Sequence, residues 1–104
     1  MFNEIINLYK QNKFIEANNI CEKIVKKKFN FDELLIISSI KLKIKDTNLA
    51  IKFAKKATRL QPNNFLGYNN LAVCLKESEN YNLAIKNYNK AIKINSNIYK
   101  NIII

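Results

Sequence analysis

Few side chains in this sequence could carry out a reaction. The 104 residues include two cysteines, eight carboxylates and no histidine. Without histidine the commonest general base is missing. Cys21 and Cys74 are not spaced as a metal-ligand pair, and no histidine completes a zinc site. A neighbouring lysine could lower a thiol pKa, but neither cysteine has an obvious activating partner. Both read as small apolar packing residues, and a reducing compartment disfavours a disulfide between them. Glu77 and Glu79 lie beside a turn, which is reason enough for them. Asp32 and Glu33 open a helix, where the macrodipole favours negative charge. The carboxylates are scattered, so neither paired acid–base work nor Mg²⁺ binding is indicated. The expectation is a non-catalytic chain with no cofactor and no metal.

What organises the chain is repetition. Three segments stack: Leu8 to Ala17, Lys41 to Ala50 and Leu75 to Ala84, each ending on an alanine that opens a second helical stretch. Those alanines are 33 and 34 residues apart. A fixed period in this range marks a solenoid of helix pairs, in which no single pair can bury its apolar face alone. Ala84, Tyr88 and Ala91 fall at i, i+4 and i+7, one stripe of a helix, as do Ala17, Cys21 and Ile24, and Ala50, Ala54 and Ala57. Small residues on that stripe let paired helices approach closely. Tyr68, Leu71, Ala72 and Leu75 form the facing stripe of another helix. Asp46, Thr47 and Asn80 offer side-chain oxygens as N-caps. Pro62-Asn63-Asn64 ends one unit and caps the next. This spacing predicts helices over residues 2–12, 14–27, 32–44, 47–60, 64–77 and 81–94, with a seventh starting near 97. No alternating run suggests a strand.

These residues resemble the tetratricopeptide repeat, whose pattern runs aromatic, Leu, small, aromatic in a first helix, then Ala and an aromatic in a second, with a closing Pro. The third unit fits through Tyr68, Leu71, Ala72, Ala84, Tyr88 and Ala91, with Leu75 where an aromatic is usual and Ser96 replacing the Pro. The second has Leu34, Ile37 and Ser38, then Lys41 in the aromatic place, followed by Ala50, Ala54, Ala57 and Pro62. The first starts inside its first helix, with Met1 at the aromatic position and Glu4 and Ile5 departing from the pattern. It recovers with Leu8, Phe14, Ala17, Cys21 and Ile24. The resemblance implies an all-α, right-handed solenoid of antiparallel helix pairs, forming one domain. Its repeats run over about 1–30, 31–64 and 65–97, and a further helix starts at 98–104.

It also implies where a partner would sit. In this family a peptide lies in a concave groove lined by the first helices. Carried over, the groove positions are Phe2, Ile6 and Tyr9; Leu35, Ile36, Ser39 and Leu42; and Leu66, Asn69, Asn70, Val73 and Lys76. Such a surface is apolar for one that faces solvent, and exposed apolar patches rimmed by polar groups mark binding sites. A shift of one position in helix phase would turn some of these residues into core. One subset of the family grips a C-terminal carboxylate with Lys, Asn and Arg on successive first helices. Here Asn70 occupies a clamp position, but Leu35 and Ser39 replace the Lys and Asn of the preceding unit. The expected partner is therefore a protein or peptide with an apolar or amphipathic segment.

The formal net charge is +10. Arg59 is the single arginine, and lysine, asparagine and isoleucine are abundant together, as an A/T-rich coding sequence would produce. A nucleic-acid surface would use more arginine, whose planar fork suits phosphates and base edges. Residues 1–46 carry +3 and residues 47–104 carry +7. Lys52, Lys55, Lys56, Arg59, Lys86, Lys90 and Lys93 lie mostly on second helices, the convex side in this family, and read first as a solvated face. An RNA-associated repeat is the weaker alternative. Targeting repeats of a larger enzyme, such as a glycosyl- or sulfo-transferase, are another. Neither a signal-peptide pattern nor an apolar run of membrane-spanning length is present, so a cytoplasmic location is expected. Ile98, Ile102, Ile103 and Ile104 form an Ile-rich terminal segment lacking the polar face that a solenoid end requires. Either the array continues in a longer protein or two copies bury their open ends together; for the isolated chain, self-association through residues 81–104, as a homodimer, is the expectation.

Overall fold

A computed structural model describes residues 2–24 and 28–95. Six helices make up its regular structure: α1 (Phe2–Lys10), α2 (Phe14–Lys23), α3 (Phe31–Lys43), α4 (Thr47–Leu60), α5 (Phe65–Glu77) and α6 (Tyr81–Ile94). There is no strand among the described residues. The helices pair as α1–α2, α3–α4 and α5–α6, and each pair packs on the next. The result is an α-helical solenoid. Met1 lies outside the described residues, as do 25–27, which include the expected end of the second helix.

The helix starts follow from local hydrogen bonding. Asn30 and Glu33 form a capping box: the Glu33 N–H donates to Asn30 Oδ1 at 2.8 Å, and the Asn30 N–H donates to Glu33 Oε1 at 3.0 Å. Glu33 therefore does more than face the helix dipole. Asp46 caps α4 by accepting from the Leu49 N–H, and Asn64 caps α5 by accepting from the Leu66 N–H. Asn80 holds the cap position of α6, but its side chain makes no capping bond.

The turns inside the pairs share one geometry. Asn12, Lys45 and Glu79 adopt the left-handed conformation, with φ of 60°, 70° and 64°. In each case the next residue's N–H reaches back five residues, from Lys13 to Leu8, from Asp46 to Lys41 and from Asn80 to Leu75. That is the Schellman closure of a helix end. It stops α1 at Lys10, short of the predicted residue 12, because Asn12 leaves the right-handed region.

Packing follows the alanine stripes. Ala17, Ala50, Ala54, Ala57 and Ala91 are fully buried, and Ala84 nearly so. Ala50, Ala54 and Ala84 share a cluster with Leu71, Cys74 and Leu75, so one core bridges the second and third pairs. Ile5, Ala17 and Ile40 bridge the first and second. The lone glycine sits at a close crossing: a Cβ on Gly67 would lie 3.3 Å from Thr58 Cγ2 and 3.4 Å from Phe31 Cε1. First helices touch one another, α1 with α3 and α3 with α5, whereas α2 with α4 and α4 with α6 make no comparable contact. Contact on one side and separation on the other curve the stack, with the first helices inside.

Candidate functional site

The inner side of that curve holds an apolar concavity. Ile6, Tyr9 and Lys10 from α1 and Leu35, Ile36 and Ser39 from α3 enclose about 330 Å³. Its exposed walls are almost entirely apolar, and Ser39 and Lys10 are among the lining residues. Each wall is braced from behind. Tyr9 meets the edge of Phe14 at a centroid distance of 5.2 Å, and Tyr9 and Ile36 pack on the Ile5–Ala17–Ile40 cluster. Leu35 packs on Phe31, Leu34 and Ala57. A surface held this way is preorganised, which lowers the ordering cost of binding.

Five of the twelve predicted groove residues line this concavity: Ile6, Tyr9, Leu35, Ile36 and Ser39. Lys10 is a sixth lining residue that sequence phase alone did not supply. The third pair contributes a more open surface, with Leu66 and Lys76 exposed and Asn69 and Val73 half-buried. Three other residues are drawn into packing. Phe2 is half-buried against the first core and meets Phe29 edge-on at 6.3 Å, and Leu42 packs on the Leu71–Cys74 core. Asn70 is committed to a neighbour: its amide donates to Ser38 Oγ at 2.9 Å. Ser38 is buried and donates in turn to the Ala50 carbonyl at 2.7 Å, while Cys74 Sγ lies 3.5 Å from Ser38 Oγ. Because the serine proton is directed at Ala50, the geometry makes Asn70 and Cys74 donors to Ser38. This knot ties α3, α4 and α5 together and explains why Asn70 is not a free clamp residue.

A second polar cluster was not legible in advance. Lys41 stands where the repeat pattern has an aromatic, and it is buried. Its ammonium donates to Asn18 Oδ1 at 2.7 Å and pairs with Glu22 Oε1, both on α2. The aliphatic stem fills the aromatic's space while the head crosses to the preceding pair. Among the described residues no buried side-chain nitrogen or oxygen lacks a partner.

The thiols carry no sign of activation. Burial raises the pKa of Cys74 and of Cys21 above the ordinary value of 9.0, and the nearby Lys41 only partly opposes this at Cys21. Protons held more tightly in the folded state mean that stability present below pH 9 declines as pH rises above it, where the unfolded thiols ionise first. We expect a lower thermal midpoint at pH 10 than at pH 7, with part of the difference removed in Cys74→Ala. An equal midpoint drop in parent and variant would exclude the Cys74 thiol as a source.

Among the described residues no three His, Cys, Asp or Glu side chains lie together as a metal site would need. Among them, too, no helix is long and apolar enough to cross a membrane. On the outer side, Lys52, Lys55, Lys56, Arg59, Lys86, Lys90 and Lys93 are all exposed on α4 and α6. Two of them rest over aromatic rings, Lys56 on Phe53 at 5.6 Å and Lys90 on Tyr68 at 5.0 Å. These ring contacts place the two ammonium groups beside the protein's own surface.

Two family models described as tetratricopeptide repeat match the sequence, one over residues 34–64 and the other over residues 65–98. The two spans are contiguous and take in the second and third helix pairs except for the first three residues of α3. No curated protein matches the chain significantly.

Proposed function

The chain belongs to the tetratricopeptide repeat family, and from that premise we propose that it binds an apolar or amphipathic peptide segment on the inner face of its first helices. Repeats of this family are interaction modules, and this chain's scarcity of catalytic groups agrees with a non-catalytic role. The observation that carries the proposal is the braced concavity between α1 and α3, walled by Ile6, Tyr9, Leu35 and Ile36. Such a wall rewards burial of aliphatic or aromatic side chains. Ser39 and Lys10 are lining residues whose polar ends are available to a bound segment at the edge of this apolar wall. A free acidic C-terminus finds no clamp here, since Leu35 and Ser39 stand at the clamp positions and Asn70 is bonded to Ser38.

The test is affinity capture from the source cell with the parent chain, an Ile6→Glu/Leu35→Glu variant and an outer-face Lys52→Glu/Lys86→Glu variant. The expected result is a specific protein retained by the parent and the outer-face variant and lost from the groove variant. Its binding should change little between low and moderate salt, because apolar burial is not screened. Loss in the outer-face variant alone, with a steep salt dependence, would move the site to the basic side and favour a polyanionic partner such as RNA.

A further inference from the structure

The α5–α6 end of the solenoid is built like an internal junction but is left uncovered among the described residues. Ile51 on α4 packs against the core that includes Leu71, Cys74 and Leu75 of the following pair. Its equivalent one period later is Ile85 on α6, which is 58% exposed. Tyr81 beside it is 56% exposed, while Tyr88 and Ile92 are half-buried. These four residues fall within roughly a 60° arc of the helix at about 100° per residue. They form one apolar flank, next to the face that Ala84 and Ala91 bury.

The spacing of the row is palindromic: four, three and four residues separate positions 81, 85, 88 and 92. A row of this kind maps onto itself when two helices lie antiparallel, with 81 opposite 92 and 85 opposite 88. That is the self-complementarity an isologous two-fold contact needs. It is also the alternating three-and-four spacing of a coiled-coil seam. On the open side the positions flanking such a seam are Asn82 and Asn89, neither of them charged; on the other side they are Ala84 and Ala91, which the chain's own core already buries. The lysines of α6 (Lys86, Lys90 and Lys93) stand off the row, and Lys90 is turned onto Tyr68. So two strongly basic chains can meet here without lysine facing lysine.

We propose that a second copy of this chain covers the α5–α6 end face, with α6 packed antiparallel on α6 across Tyr81, Ile85, Tyr88 and Ile92. The occupant is chosen by the palindromic row and its uncharged margins. The described residues alone carry the contact; Ile98, Ile102, Ile103 and Ile104, the segment expected to self-associate, lie outside them. One helix of 14 residues, about 21 Å long, offers an interface at the small end of specific contacts, so the dimer is reversible and concentration-dependent.

Light scattering or sedimentation of the full chain, from about 10 μM to about 1 mM, tests it. The expected mass moves from one copy to two over this range, with little dependence on salt. Ile85→Lys should raise the dissociation constant by about tenfold or more, since it buries an unpaired ammonium in the seam. Leu83→Lys, an exposed site on the other flank of the same helix, should leave the dimer intact. Circular dichroism checks that both variants keep the parent helix content, and if Ile85→Lys loses it, Ile85→Asn takes its place. A one-copy mass at every concentration would overturn the proposal and leave the face to another segment or another protein. Growth beyond two copies, or equal disruption by Leu83→Lys, would equally overturn the two-fold arrangement.

Discussion

Lys41→Ala is expected to destabilise the fold by about 2–4 kcal/mol, the range of large-to-small changes in a core. Lys41 is 4% exposed, and its stem fills the place the repeat pattern gives to an aromatic ring. Truncation leaves that space empty and removes the bridge to Asn18 and Glu22. Lys41→Met separates the two effects. It keeps the volume and deletes the charge, and replacing a buried ionic group with a well-packed apolar one is often neutral or better. The methionine variant should therefore stay within about 1.5 kcal/mol of the parent. Glu22→Ala should cost less than Lys41→Ala, because the Glu22 side chain is 62% exposed and water can take its place beside the ammonium. Urea denaturation of the three variants measures all of this. If Lys41→Met falls as far as Lys41→Ala, the ion pair and not the packing holds the first two helix pairs together.

The second large effect is expected at the alanine stripe. Ala57→Leu and Ala84→Leu should each lower stability by about 1–3 kcal/mol through overpacking. Ala57 is fully buried against Phe31 and Leu34, and Ala84 is 2% exposed in the core it shares with Leu71 and Leu75. A leucine at either site must push two helices apart or leave its preferred rotamer. Thermal unfolding of each variant decides the matter, and unchanged midpoints in both would mean that the pairs open without penalty.

The fold was readable because its signals are periodic. Alanines 33 and 34 residues apart on a helical stripe leave little choice of architecture, and Asp46 and Asn64 cap where their spacing says they should. Single-residue events were harder. Asn30 and Glu33 have capping-box spacing, yet an acidic residue in a first turn is already accounted for by the dipole. Glu79 and Lys45 give no hint of left-handed backbone, since neither type prefers it; the closing hydrogen bonds impose it. In the candidate groove, helix phase brought Ile6, Tyr9, Leu35, Ile36 and Ser39 to one concavity. It could not foresee that Asn70 would turn to Ser38, because both residues are polar and only three-dimensional proximity pairs them. Lys41 was visible as a departure from the pattern, but its partners on α2 are chosen by the crossing of two helix pairs.

The three left-handed turns bear on how such a chain can lengthen or shorten over evolutionary time. Asn12, Lys45 and Glu79 are chemically unrelated, yet each closes its turn with the same pair of backbone bonds. Composition there is free to drift, whereas length is not. One inserted residue inside a helix would rotate everything after it by about 100° and carry the alanine stripe away from its neighbour. A duplication or deletion spanning a whole unit, by contrast, joins one turn to its geometric twin and leaves every downstream face in phase. Recombination between turns is thus the mutation this backbone forgives best, and a gene encoding it can count in units where it cannot count in residues.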